Sequence, residues 1–166
     1  MKPLMRASGV DMAEFAKPKK MAGDDFQTVI EEYKAAARNA IDAGFDGVEV
    51  HGANGYLLDQ FMKDEANDRT DEYGGALKNR CRFPLEVVDA VCKEIGHDKV
   101  GMRLSPFNGY KECGDSNPEE LGVYMAKELS KRNIVYLHMI EPRMTQVGEK
   151  IETPHSLGPM KNAFKS

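Results

Sequence analysis

Hydrophobic positions recur at helical spacing in several segments of the chain. The first predicted helix has Asp24 or Asp25 as its N-cap and ends before Gly44. Its apolar positions lie three or four residues apart, as one face of a helix requires; they are Phe26, Val29, Ile30, Tyr33, Ala36, Ala37, Ala40 and Ile41. Further helices are predicted at residues 80–95 and 118–131, and shorter helical patterns occur at residues 57–63 and from residue 157 onward.

Each of the three long helical segments is followed by a short segment of strand character. The predicted strands span residues 45–51, 99–104 and 133–140. In the first strand, alternation places Val48 and Val50 on one face. Glu49 and His51 fall on the opposite face. An order of helix and strand that is repeated three times predicts an α/β fold with parallel strands.

Three parallel strands are compatible with two architectures. A closed TIM barrel takes eight strands and usually about 250 residues, so the 166-residue chain forms either a small open sheet or part of a barrel. Glu49, His51 and Arg103 favour the barrel, because charges on strand faces are costly unless they serve a site and barrel catalytic groups gather at the carboxyl ends of strands. We therefore predict a single partial-barrel domain over residues 1–166, in which residues 1–23 are loop.

The composition narrows the classes of partner. The chain is 41% hydrophobic and 30% charged, and its 23 basic against 27 acidic residues give a net charge of -4, which argues against nucleic acid or an anionic membrane as the main partner. Its longest apolar run, residues 134–140, is too short to cross a bilayer. Three cysteines without a C-x-x-C pair argue against a disulfide framework or a structural zinc site and predict a reducing, cytoplasmic compartment.

The most specific motif lies where the first predicted strand ends. It consists of His51, Gly52, Ala53, Asn54, Gly55 and Tyr56, within the longer segment 44–58. Three further segments follow in order, at residues 67–75, 79–83 and 100–106. Together these segments resemble the old yellow enzyme family of flavin-dependent ene-reductases, and in particular the plant 12-oxophytodienoate reductases. The resemblance covers nearly the whole chain from about Phe26.

The resemblance implies a TIM barrel that holds FMN non-covalently and is reduced by NADPH. In such enzymes hydride passes from flavin N5 to the β-carbon of an α,β-unsaturated carbonyl compound, and negative charge builds on the carbonyl oxygen. On this resemblance the chain holds barrel strands four, five and six. Strands one to three and seven to eight, which in the family contact the flavin ring and grip its phosphate, have no counterpart in this chain.

The resemblance also assigns roles to individual residues. His51 and Asn54 correspond to the pair that binds the substrate oxygen, although many plant relatives have a second histidine where this chain has Asn54. Tyr56 corresponds to the proton donor to the α-carbon. Arg103 corresponds to the arginine that contacts FMN, and His51 is a further candidate contact to it. No metal ligands are implied.

Structural interpretations of the same residues stay open without the resemblance. His51 is then interpreted as a structural histidine at a strand end, with its hydrogen bonds made within the protein. Tyr56 is interpreted as a packing residue and Arg103 as the ion-pair partner of Glu49. His138 lies in an apolar strand and is interpreted as structural. The acidic segment 67–73 resembles a calcium loop only superficially, because Tyr73 stands where an EF-hand requires glycine; a hydrogen-bonded loop with ion pairs is predicted there.

Two functional hypotheses follow. In the first, the chain is an FMN-dependent ene-reductase that acts on small-molecule enones such as cyclic oxylipin precursors, and Arg143 and Lys150 are candidate residues over the substrate mouth. In the second, it is a truncated paralogue that holds no FMN and is an inert or partner-bound fragment. The matching set of site residues motivates the first hypothesis, and the missing strands motivate the second.

Overall fold

The computed structural model describes residues 19–146, 149–150 and 152–165. Six α-helices are described: α1 Asp25–Asp42, α2 Leu57–Met62, α3 Leu77–Arg80, α4 Arg82–Ile95, α5 Pro118–Lys131 and α6 Gly158–Ala163. The described strands are β1 Val48–Gly52, β2 Val100–Leu104, β3 Tyr136–Met139, β4 Met144–Gln146 and β5 Glu149–Lys150. Of the loop predicted at residues 1–23, the part at 1–18 lies outside the described residues, and residues 19–23 contain no helix or strand.

The three predicted strands are confirmed as one parallel sheet in the order β1-β2-β3. All three begin later than predicted, β2 by one residue and β1 and β3 by three. Left-handed residues turn the chain before β1 and β3: Gly44 has φ +95°, and Asn133 has φ 52°. Strands β4 and β5 form a separate antiparallel pair. This pair could not be predicted from the sequence, because each of its strands is too short to show an alternating pattern.

The helices cover one face of the parallel sheet. Val50 of β1 and Met102 of β2 point into a common core with the apolar faces of α1, α4 and α5. This core includes Phe26, Phe83, Val87, Val88, Val91, Met125 and Leu129. Full burial of such a side chain contributes about 1.5–3 kcal/mol, so this layer supplies most of the driving force for folding. The opposite face of the sheet is polar and carries Glu49, His51, Arg103, Tyr136 and His138.

The acidic loop at residues 67–73 is confirmed as a hydrogen-bonded loop with an ion pair. The Asn67 side chain donates to the carbonyl oxygens of Phe61 (2.6 Å) and Tyr73 (2.8 Å). Arg69 pairs with the Asp71 carboxylate at 2.5 Å. Asp71 thereby has a cation of the protein itself as its partner, and its pKa is lowered by the hydrogen bond from Arg69.

The approach of β1 to β2 leaves no room for a side chain at Gly47. A Cβ atom at this position would lie 2.5 Å from the backbone oxygen of Lys99, whereas a Cβ atom at Gly109 would meet nothing within 4 Å. We expect Gly47→Ala to lower the free energy of unfolding by about 1–3 kcal/mol, because backbone atoms must move. Gly109→Ala, at φ -92°, is the matched control and should be neutral or stabilise by up to about 1 kcal/mol. Urea titrations of both variants measure the difference, and equal midpoints would contradict it.

Candidate active site

His51 lies at the carboxyl end of β1, on the polar face of the sheet. In the sheet register it stands opposite Arg103 of β2, which in turn stands opposite His138 of β3. The strand alternates, so that Val50 is buried among the helices while His51 is half-buried on the other side. The structure therefore brings His51 and Arg103 together as neighbours, as their position late in two parallel strands predicted.

The turn after β1 is held in an unusual backbone conformation. Asn54 and Gly55 both lie in the left-handed region, with φ 60° and 70°. The backbone N–H of Asn54 donates to Ser105 Oγ at 2.7 Å, and that of Gly55 donates to Asp59 Oδ2 at 2.8 Å. Among the described residues, the Asn54 side chain forms no hydrogen bond with His51 or Tyr56.

Tyr56 precedes the first turn of α2 and projects from the protein. Its side chain is 51% exposed, which contradicts an interpretation as a packing residue. Its ring centroid lies 5.5 Å from that of His51, at an interplanar angle of 57°. The structure thus places the imidazole and the phenol side by side at the carboxyl end of β1. The Lys111 Nζ atom lies over the Tyr56 ring, 3.3 Å from the ring centroid.

Within the described residues, the guanidinium group of Arg103 lacks one hydrogen-bond acceptor. Its Nε atom is buried and makes no hydrogen bond within the described residues. The alternative ion pair with Glu49 is wrong, because within the described residues the Glu49 carboxylate contacts His138 Nδ1 at 3.0 Å instead. A buried N–H without an acceptor costs about 1–3 kcal/mol, so this position suits an anionic group or acceptor bound against the sheet.

His138 differs from its interpretation as a structural histidine of an apolar strand. Its side chain is 44% exposed and lies on the polar face with Glu49. The apolar residues of the run are Ile134, which is buried, and Leu137 and Met139, which pack against the core. Alternation along β3 therefore directs His138 away from the core and toward the side of the sheet on which His51 and Arg103 lie.

A buried ion pair beneath the turn was missed by sequence reasoning. The side chains of Lys63 and Asp59 are 0% and 1% exposed and lie 3.2 Å apart. Lys63 also donates to the carbonyl oxygens of Ser105, at 2.8 Å, and Asn108. Ser105 Oγ in turn donates to Asp59 Oδ2 at 3.3 Å. The pair thus connects α2, the turn that carries Asn54, and the loop after β2.

The electrostatics of this pair reflect its depth. Burial raises the pKa of Asp59 above its ordinary value, and Lys63, the Gly55 N–H and Ser105 oppose that rise. The sequence does contain a signal for the pair: two opposite charges four residues apart within a short helix whose neighbours, Leu58 and Phe61, are apolar. That pattern alone equally fits a solvent-exposed pair, so only the tertiary structure shows its burial.

The other candidate residues and features lie apart from this site. Arg143 is exposed just before β4, and Lys150 lies in β5. A surface groove of about 640 Å3 between the start of α1 and residues 69–73 contains none of the predicted site residues. Within the described ranges, no group of three metal-ligating side chains occurs. None of the helices described is long and apolar enough to cross a membrane.

The chain is similar to known flavin oxidoreductases over almost its entire length. Residues 4–163 match the model of the NADH:flavin oxidoreductase / NADH oxidase family. The chain is 62% identical over 165 residues to "Putative 12-oxophytodienoate reductase 11" of Oryza sativa subsp. japonica, covering 99% of this chain and 45% of that protein. It is 60% identical over 163 residues to "12-oxophytodienoate reductase 2" of Arabidopsis thaliana, covering 98% and 44%. The chain thus spans less than half the length of these curated relatives.

Solved structures show the same relationship in three dimensions. Morphinone reductase superposes with a TM-score of 0.84 at 40% identity, covering 98% of this chain and 43% of that one. Morphinone reductase in complex with tetrahydroNAD superposes with a TM-score of 0.83 at 38% identity, with the same coverage. Because morphinone reductase is a TIM barrel, the three parallel strands and their helices are a partial TIM barrel, which decides between the two predicted architectures.

Proposed function

The chain belongs to the NADH:flavin oxidoreductase / NADH oxidase family, and from this premise we propose that it takes part in FMN-dependent, NADPH-driven reduction of the carbon–carbon double bond of α,β-unsaturated carbonyl compounds. The observation that carries the proposal is the convergence of His51, Tyr56 and Arg103 at the carboxyl ends of β1 and β2. Its similarity to plant 12-oxophytodienoate reductases favours oxylipin-type cyclic enones as the substrates, in a cytoplasmic setting.

The residues present fit FMN on one specific point. The buried Nε of Arg103 has no hydrogen-bond acceptor within the described residues, and a flavin offers acceptor oxygen and nitrogen atoms along one ring edge. A fixed cation at that edge favours the reduced, anionic flavin, and a guanidinium keeps its charge when desolvated. Arg103 would therefore hold FMN, and His51, its neighbour on β1, is a second candidate contact.

Bound FMN would supply a hydride to the β-carbon of the enone. His51 and Asn54 donate hydrogen bonds to the carbonyl oxygen, on which negative charge develops; such preorganised donors typically contribute about 2.7–4 kcal/mol each. The left-handed turn at Asn54, tied to Ser105 at 2.7 Å, sets where its amide can point. Tyr56 then donates its phenolic proton to the α-carbon, and its exposed side chain leaves it accessible to a bound substrate.

The choice of reductant is also a proposal. Tetrahydro-NAD is bound in one of the similar morphinone reductase structures, which supports a nicotinamide reductant. NADPH is proposed rather than NADH on the resemblance to the plant reductases. A small-molecule enone is the proposed partner, and the net charge of -4 argues against nucleic acid.

A second candidate function is favoured by a separate observation. The chain spans 44–45% of the curated relatives, and the polar face that bears the site is uncovered, with the side chains of Tyr136 and His138 43% and 44% exposed. A TIM barrel surrounds that face with its remaining strands. The alternative is therefore that this chain binds no FMN and catalyses nothing, and is inert or bound to a partner.

Binding of FMN separates the two candidates. We expect FMN to co-elute with the purified chain and to show a perturbed visible band. Arg103→Leu should raise the dissociation constant for FMN about 10- to 100-fold, because a hydrogen bond to a charged group contributes about 1.5–3 kcal/mol. The affinity of Arg103→Lys for FMN should lie between those of Arg103→Leu and the unchanged chain, since lysine keeps the charge but lacks the planar guanidinium group. The readout is titration of FMN fluorescence against protein.

The control for this experiment is Arg38→Leu. Arg38 lies on α1 and pairs with Glu94 of α4, so its loss removes the same charge away from the site and should leave FMN affinity unchanged. Urea denaturation of Arg103→Leu should show no loss of stability, because the buried Nε that it removes has no hydrogen-bond partner in the described part of the chain. Failure of the unchanged chain to bind FMN would reject the enzymatic proposal for this chain and favour the inert fragment.

A further inference from the structure

We infer that Lys111 is a positioning residue for Tyr56: its ammonium group lies on the Tyr56 ring and holds the phenol in one orientation at the site. The inference rests on the proposed function, because positioning matters only if Tyr56 donates a proton. The Lys111 Nζ atom is 3.3 Å from the ring centroid, which is well within the ~6 Å range of an attractive cation–π contact.

Few other contacts restrain the Tyr56 side chain. It is 51% exposed, and its hydroxyl makes no hydrogen bond in the part of the chain that the structure describes. His51 touches the ring, with centroids 5.5 Å apart, and Lys111 contacts its face. An exposed aromatic side chain without such contacts exchanges between rotamers on the picosecond to nanosecond scale. Lys111 therefore supplies the closest restraint on where the phenol points.

The backbone around Lys111 has an unusual conformation. Lys111 and Glu112 both have positive φ, at 61° and 59°. Left-handed conformations cost about 1–3 kcal/mol at non-glycine residues and persist where the surroundings determine them, often at functional sites. Two such residues in succession turn the loop after β2 back over the turn after β1. This geometry is a second observation, independent of the ring contact.

The two loops also touch at the level of their backbones. A Cβ atom at Gly55 would lie 2.6 Å from the Tyr110 carbonyl oxygen and 3.0 Å from Lys111 Cβ. Gly55, which immediately precedes Tyr56, can have no side chain if the loops are to approach this closely. The loop after β2 is further attached through Ser105 to Asn54 and through Ser116 to Asp64. Lys111 is therefore held near the middle of a loop that is attached on both sides.

The first test needs neither FMN nor substrate. In NMR spectra, ring currents should shift the Lys111 ε-methylene resonance upfield of those of other lysines, and Tyr56→Leu should abolish that shift while Tyr56→Phe should keep it. The Tyr56 Hα–Hβ couplings should report one dominant rotamer. Lys111→Met should reduce the preference for that rotamer about 2- to 30-fold, the range of a cation–π contact. Lys111→Arg should restore it, because a guanidinium also stacks on an aromatic face.

The second test links the position of the ring to its role. In FMN-loaded protein, Lys111→Met should slow enone-dependent flavin reoxidation about 10-fold, since small misplacements of a reacting group cost up to about 100-fold, and should leave flavin reduction by NADPH unchanged. In the Tyr56→Phe background, Lys111→Met should cause no further loss, because a residue that acts only through the phenol has nothing left to position. Lys127→Met, at an exposed position on α5, is the control and should behave like the unchanged chain.

The outcomes are distinguishable from failure of the proposed function. An unshifted Lys111 resonance, or Tyr56 couplings that do not change in Lys111→Met, would reject the positioning role whether or not FMN binds. A Lys111→Met effect that is just as large in the Tyr56→Phe background would also reject it, and would show that Lys111 acts on the loop in general. If FMN does not bind, the proposed function fails, and the NMR result alone decides whether Lys111 orients Tyr56.

Discussion

Replacing Tyr56 with phenylalanine is expected to slow enone-dependent flavin reoxidation by about 100- to 10,000-fold, the usual contribution of a general acid. The variant keeps the ring, and therefore the contacts with His51 and Lys111, but has no proton to donate to the α-carbon. Flavin reduction by NADPH should be unchanged, because it needs no acid at this position. Stopped-flow traces of the two half-reactions, recorded separately with cyclohexenone as oxidant, measure the difference.

The matched control for this prediction is Tyr33→Phe. Tyr33 lies on α1 and is partly buried against the core, so the same hydroxyl is removed without change at the site. Both half-reactions should then run at the rate of the unchanged chain. A Tyr56→Phe variant that reoxidises as fast as its parent would remove Tyr56 from the role of proton donor, and equal slowing of both half-reactions would point to a general disturbance of the site.

Replacing Lys63 with methionine is expected to lower the free energy of unfolding by about 3–5 kcal/mol, the usual effect of removing one partner of a buried ion pair. Methionine fills a similar volume, so the loss reflects charge and hydrogen bonding and not a cavity. The variant leaves the Asp59 carboxylate, which is 1% exposed, without its counter-ion. It also leaves the carbonyl oxygens of Ser105 and Asn108 without their donor. Urea denaturation followed by circular dichroism measures the change.

A double-mutant cycle tests whether the effect belongs to the pair. Asp59→Asn combined with Lys63→Met should lose less stability than the sum of the two single variants, because the double variant buries no unpaired charge. Lys127→Met, at an exposed position of α5, should change stability by no more than about 0.5 kcal/mol. A loss below about 1 kcal/mol for Lys63→Met would show that the pair is solvated in solution.

The loss caused by Lys63→Met should also depend on pH. Burial raises the pKa of Asp59, and Lys63 opposes that rise, so removing Lys63 raises the pKa further. A carboxyl group whose pKa is higher in the folded than in the unfolded state binds its proton more tightly when folded, and its unfavourable contribution grows as the pH rises. The variant should therefore be closest to its parent in acid and furthest from it at neutral pH. A constant difference across pH would contradict this account.

The elements of the fold and the polar face of the sheet could be predicted from local patterns, whereas the roles of the site residues were implied by a family resemblance. Helical spacing from Phe26 to Ile41 predicts a helix that the structure places at Asp25–Asp42. Alternation in β1 correctly separates Val50, which is buried, from His51 on the polar face. Each of these inferences depends on the period of a single element, and the period of a helix or a strand is a property of the chain itself.

Contacts between distant segments were not predictable in the same way. Lys63 reaches Ser105 and Asn108 across 42 and 45 residues, and no periodicity relates these positions. The partner assigned to Arg103 was wrong for a similar reason: Glu49 lies on the same face, but the register places Tyr136 and His138 within its reach as well. Opposite charge suggests a pair, and only the distances between side chains decide which pair forms.

The sequence by itself thus determined the order of helices and strands, the polar face of the sheet and the motif that carries His51, Asn54 and Tyr56, because these depend on neighbouring residues. Only the tertiary structure decided that Lys63 and Asp59 are buried, that Arg103 Nε lacks an acceptor among the described residues and that Lys111 lies on the Tyr56 ring. Burial and contact depend on how distant loops pack against each other. These loops meet only because the sheet register brings the carboxyl ends of β1 and β2 together.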